Sequence, residues 1–186
     1  MTNRGPAPRI SAMRAVAHCL VTSSAMLARG QLSFPRENVG RTIRFADGTA
    51  GRVYRETVVD RAPREPTWLV VSFRLRWVHG RGHALFQWES VLNTPLFVGF
   101  PGFVSKLWLS HDRAGRYRGL YEWDGAEPAE QYARSLWRVL ALVSEPGSID
   151  YRVIRGQSRD QVLAVPATPG GYGEREEAAW WQVVAA

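Results

Sequence analysis

One lysine stands among the 24 basic residues of this chain, two positions from a tryptophan in the run Lys106-Leu107-Trp108. On a strand that spacing turns both side chains to one face. An amine beside an indole plane in a dry pocket can hold a substrate oxygen and stabilise a developing phenolate or enolate. Arg74 and Arg76 alternate just ahead of Trp77 and offer the same electrostatic help. His79 and His83 follow, and histidine is the side chain that accepts a proton near neutral pH. The candidate catalytic set is therefore His79, His83 and Arg74, with Arg76, Trp77, Trp88, Lys106, Trp108, Tyr121 and Trp123 as candidate substrate contacts.

Each of these residues has a plain structural alternative. Lys106 could form a cross-strand pair with Glu122, a contact of small worth. Arg74 and Arg76 could be solvated, and Tyr121 and Trp123 could be core instead of pocket wall. His79 and His83 are spaced i, i+4, but no acid completes an HExxH pattern, and Gly80 and Gly82 interrupt any helix there. No metal site is expected, and no organic cofactor is implied. His111 falls in a hairpin turn and is expected to be exposed.

Composition narrows the function classes. The chain has 186 residues and eight Trp, large flat side chains that must fill core, line a pocket or seal an interface. Its net charge of +7 comes from arginines scattered from Arg4 to Arg175 without a run, so no nucleic-acid partner is expected. Cys19 is the only cysteine, which excludes an intrachain disulfide and permits a reducing cytoplasm, the expected location. Gly-rich phosphate loops, serine elbows and paired-carboxylate motifs are absent from the sequence.

The elements that must position the candidates follow from periodicity. Residues 1–36 contain no acid, and Ile10 to Ala28 reads as a helix or leader packed on the main body, too short and polar to span a bilayer. No membrane partner is expected. An Asp47-Gly48 turn between two alternating runs predicts a β-hairpin within 37–62. The prolines of 61–66 mark a boundary.

Beyond that boundary the order is strand (68–77), helix (83–97), strand (103–110), strand (117–123), a helix opened by 124–128 and stopped at Pro146-Gly147, and strand (149–155). The tail, 157–186, predicts a short helix from Glu174 to Ala185 whose Trp180 and Trp181 dock on this chain or on a partner.

A βαββαβ order over 67–156 predicts an α+β, ferredoxin-like sandwich with both helices on one face. If the helices cover Leu69, Val71, Phe73, Phe103, Leu107 and Leu109, the opposite face carries Ser72, Arg74, Arg76, Lys106 and Trp108 and stands bare. A second copy would then be needed to enclose it.

The block Pro101-Gly102-Phe103, with Lys106, Trp108 and Ser110, then Gly119-Leu120-Tyr121, Trp123 and a helix carrying Tyr132, resembles the YdhR-type monooxygenase family of the dimeric α/β-barrel superfamily, over about 68–156. The resemblance implies a homodimer whose sheets form a barrel around a small cavity. It also implies a cofactor-independent monooxygenase, or a related cyclase or isomerase, acting on a hydrophobic, aromatic or polyketide-like small molecule. The alternative is a non-catalytic small-molecule-binding or regulatory module with the same aromatic lining. The N-terminal helix, the hairpin and the tail depart from the family pattern.

Overall fold

A computed structural model describes residues 5–76, 94, 97–164 and 179–186. The candidates Trp77, His79, His83 and Trp88 lie outside the described residues, as does all but 94 and 97 of the expected helix over 83–97.

Helix α1 (Arg9–Ala28) ends where Gly30 takes φ +66°. The Gly30 and Gln31 amides then donate to the carbonyls of Leu27 and Met26, a Schellman closure that needs a residue without Cβ strain. By length and composition alone this helix, with a mean hydropathy of 1.3 over its most apolar 18 residues, is long and apolar enough to cross a membrane. The short strand β1 (Leu32–Ser33) leads to the hairpin of β2 (Thr42–Phe45) and β3 (Ala50–Val59). Its turn is held by Asp47 Oδ1, which accepts from the Thr49 amide at 3.0 Å, and by Gly48 at φ +77°.

Strands β4 (Pro66–Arg74), β5 (Phe103–Leu109) and β6 (Arg116–Asp124) come next, followed by helix α2 (Ala126–Val143) and strand β7 (Asp150–Arg155). The five-residue helix α3 (Arg159–Leu163), closed by a Ser158/Gln161 capping box, precedes strand β8 (Val183–Ala185). The C-terminal end of the tail is therefore strand, where the sequence pattern predicted helix. Its residues ladder against β2.

The strands form one curled antiparallel sheet in the order β7-β4-β6-β5-β3-β2-β8, with β1 beside β3. The four strands β7-β4-β6-β5 have the order of a ferredoxin-like unit, as the βαββαβ reading predicted. The hairpin is no separate appendage, because β3 ladders against β5 from Val53 to Val58.

The sheet has a core on each side. Helices α1 and α2 cover Leu69, Val71, Phe103, Trp108, Tyr121, Trp123, Tyr151 and Val153. The other face buries Trp68, Val70, Leu107, Leu109 and Leu120 with Ile43, Phe45, Val53, Val162, Leu163 and Val183. The expected bare face does not exist: Ser72, Trp68 and Val70 are all 1% exposed or less within a single chain.

Arg118 pins this far side together. Its guanidinium reaches Asp112 at 3.0 Å, Asp47 at 2.8 Å and the Trp180 carbonyl at 3.2 Å. Burying Trp68 alone is worth about 4–6 kcal/mol at roughly 25 cal/mol per Å² of apolar area, an upper bound. The chain itself satisfies the demand that the sequence reading assigned to a second copy.

Candidate functional site

The site is set by two rows of residues running across the helix-covered face. In register, Thr57 of β3 stands opposite Lys106 of β5, Lys106 opposite Tyr121 of β6, and Tyr121 opposite Leu69 of β4. The next row is Arg55, Trp108, Gly119 and Val71. Lys106 and Trp108 thus share a face, as their spacing predicts, but it is the helix face.

The reason is an irregularity in β5. Phe103 pairs with Trp123 while Ser105 pairs with Glu122, so two residues on β5 match one on β6 and the alternation inverts after Phe103. Leu107 and Leu109, expected under the helices, consequently pack in the far-side cluster. Glu122 also points to that side, where it accepts from Ser105 Oγ at 3.4 Å and from the Arg159 amide at 3.2 Å. It cannot form the expected cross-strand pair with Lys106.

Lys106 is 5% exposed, and its Nζ lies 3.0 Å from the centre of the Trp108 ring, 4.4 Å from Phe97 and 4.7 Å from Tyr121. Among the described residues no carboxylate or hydrogen-bond acceptor meets it. Burial, and then the positive charge of Arg55, draw its pKa well below the ordinary lysine value. Arg55 Nη2 donates to Thr94 Oγ1 at 2.7 Å, and its guanidinium lies 5.6 Å from the Trp108 ring and 5.0 Å from Phe34. Trp108 Nε1 donates to Thr57 Oγ1 at 3.3 Å, which fixes the indole that Lys106 touches.

Tyr121 leans over Gly119, where a Cβ would come within 2.7 Å of its ring. Helix α2 supplies Tyr132, whose hydroxyl donates to the Tyr121 hydroxyl at 3.3 Å. Burial raises both phenols, Tyr132 well above the ordinary tyrosine value, so they stay protonated donors. Trp123, fully buried, sets its ring tilted at 4.9 Å from Tyr132 and edge to face at 5.6 Å from Phe103.

The structure therefore brings together Lys106, Trp108, Tyr121 and, behind them, Trp123. Arg74 stands five residues along β4 from Leu69, roughly 16 Å at about 3.3 Å per residue. It pairs with Glu145 at 3.4 Å, while Arg76 donates to the Ser144 carbonyl at 3.2 Å, so both meet the C-terminal end of α2. His111 is half-buried against Tyr117, with ring centres 5.5 Å apart, rather than exposed. Arg55, Thr57 and Phe97 join the site without having been singled out, and Tyr132, named only as the helix residue of the block over 68–156, joins them from α2.

No protein-family model matches the chain, and no curated protein does. Among solved structures it is similar to an uncharacterized ferredoxin-fold protein of Listeria monocytogenes related to antibiotic biosynthesis monooxygenases. The identity is 12% and the TM-score 0.42, over 58% of this chain and 64% of that one. The chain thus spans under two thirds of that neighbour's length. At this level of likeness the neighbour supplies no argument about chemistry, which rests on the Lys106 site.

Proposed function

We propose that this protein is an enzyme that holds a hydrophobic aromatic or polyketide-like molecule against the helix-covered face of its sheet and acts on it without metal or organic cofactor. The observation that carries the reading is Lys106, a buried amine with three aromatic rings and, among the described residues, no carboxylate around it. Native folds seldom bury lysine without a partner, and strongly perturbed groups of this kind concentrate at functional sites.

An amine with a depressed pKa is a base. In this proposal Lys106 takes a proton from an acidic C–H or O–H of the substrate, and Arg55 and the Tyr121 hydroxyl stabilise the resulting anion. Trp108 and Phe97 supply apolar contact. In a monooxygenase the carbanion then reacts with dioxygen, so that one CH2 and one O2 become C=O and H2O. In a cyclase or isomerase the same anion closes a ring or is reprotonated elsewhere. The homodimer belongs to the proposal only with copies meeting away from the far face, which the chain fills itself.

A second reading has one observation in its favour. A cleft of about 580 Å³ opens on the far side between Trp68, Ile154, Val162 and Trp181. A molecule held there would meet neither Lys106 nor Arg55, and would be bound without being converted.

The test is turnover of anthrone-like and dihydroquinone substrates under oxygen, followed by quinone absorbance. Wild type should form product, and Lys106→Met should lose on the order of 10²–10⁴-fold in rate, the usual worth of a general base, while still binding. Binding by wild type without product would favour the second reading.

A further inference from the structure

Helix α1 is turned inside out relative to an ordinary surface helix. Its inner side carries small residues, Ala12, Cys19 and Ser23, and Ser23 Oγ accepts from the Gly99 amide at 2.7 Å. Met26 also turns inward, but most of its large apolar side chains face out: Ile10, Met13 and Val21 are each 73% exposed, Leu27 57% and Leu20 40%. At about 100° per residue, Ile10, Met13, Leu20 and Val21 fall within an arc of roughly 100°, with Leu27 at its edge. Exposed Arg9 borders one side of this stripe, and exposed Arg14 and His18 the other. No acidic residue occurs before Glu37.

We propose that the outer face of α1 is a docking surface for an anionic lipid bilayer, with the helix lying flat in the headgroup region and its inner side still packed on the protein. Charge decides the occupant. A second copy docked stripe to stripe would set arginines against arginines with no carboxylate to pair them. A bilayer of anionic headgroups offers the stripe an apolar layer and the flanking cations their counter-charge. The packed inner side favours a helix lying flat over a spanning one, because Cys19 and Ser23 are held against the turn at Gly99.

The experiment is cosedimentation of the full chain with vesicles of phosphatidylcholine alone or mixed with phosphatidylglycerol. Binding is expected on the mixed vesicles, weakened by salt, and scarcely on the neutral ones. Arg9→Gln with Arg14→Gln should lose roughly fivefold in affinity per charge removed. Val21→Glu and Met13→Glu should each lose more than about tenfold, with unchanged circular dichroism because both positions are exposed. Equal binding to neutral vesicles would overturn the proposal, as would variants that bind like wild type. So would a dimer in solution that Val21→Glu splits, which would assign the stripe to a second copy.

Discussion

Replacing Lys106 with Met should stabilise the protein. The buried amine has no acceptor among the described residues, and burying such a polar group costs about 1–3 kcal/mol. Its ring contacts return about 0.5–2 kcal/mol, but only while the amine is charged. Methionine keeps a similar unbranched stem against Trp108, Phe97 and Tyr121 and adds sulfur–ring contacts worth about 0.3–1.5 kcal/mol. The expected net gain is about 1–3 kcal/mol, or roughly 3–10 °C in Tm for a chain of this size.

The pH dependence gives a sharper reading of the same substitution. The folded pKa of Lys106 lies below the unfolded 10.5, so within that window the unfolded chain holds a proton that the folded chain lacks. Wild-type stability relative to Lys106→Met should therefore rise with pH, by up to about 1.4 kcal/mol per unit, and level off above 10.5. Urea unfolding of both proteins across the neutral-to-alkaline range measures the difference. A variant destabilised by about 1 kcal/mol or more, or a difference flat in pH, would refute the reasoning, because Lys106 would then be a charged structural contact.

Two other perturbations test the frame around the site. A Cβ at Gly99 would meet the Cys19 carbonyl and Ser23, so Gly99→Ala should push α1 outward at a cost of about 1–3 kcal/mol. The thiol of Cys19, 1% exposed in the fold, should then react with a thiol reagent roughly 5- to 150-fold faster. Burial raises the Glu122 pKa above 4.5, against the lowering effect of the Arg159 amide and charge. Its contribution to stability is therefore fullest below pH 4.5 and declines as pH rises from there to the folded value. Glu122→Gln should flatten that decline in unfolding measured across the acidic range.

Much of the local structure is legible in the residues. Asp47-Gly48 specifies its turn because the Asp side chain accepts the Thr49 amide and glycine tolerates positive φ. The alternation of β4 follows from period alone, while which residues of β6 face the helices is set by its ladders to β4 and β5. Register across strands is another matter, since one extra residue in β5 reverses which side chains face the helices, and no local feature of Phe103-Val104-Ser105 announces it. Arg55 was read as part of a separate hairpin, because its partner Trp108 lies 53 positions away and only the β3–β5 ladder joins them.

What the sequence by itself determined is helix α1, the hairpin, strands β4 to β7, helix α2 and the placing of Lys106 with Trp108 on one face, because periodicity is a property of the backbone. What only the tertiary structure decided is which face that is and what surrounds it. The tail residues Trp180 to Ala185 and the hairpin fill the side that was expected to be bare, and the bulge turns Lys106 under the helices among Phe97, Trp108 and Tyr121. Burial and long-range register are properties of the assembled sheet, and they convert an isolated lysine into an amine held away from water.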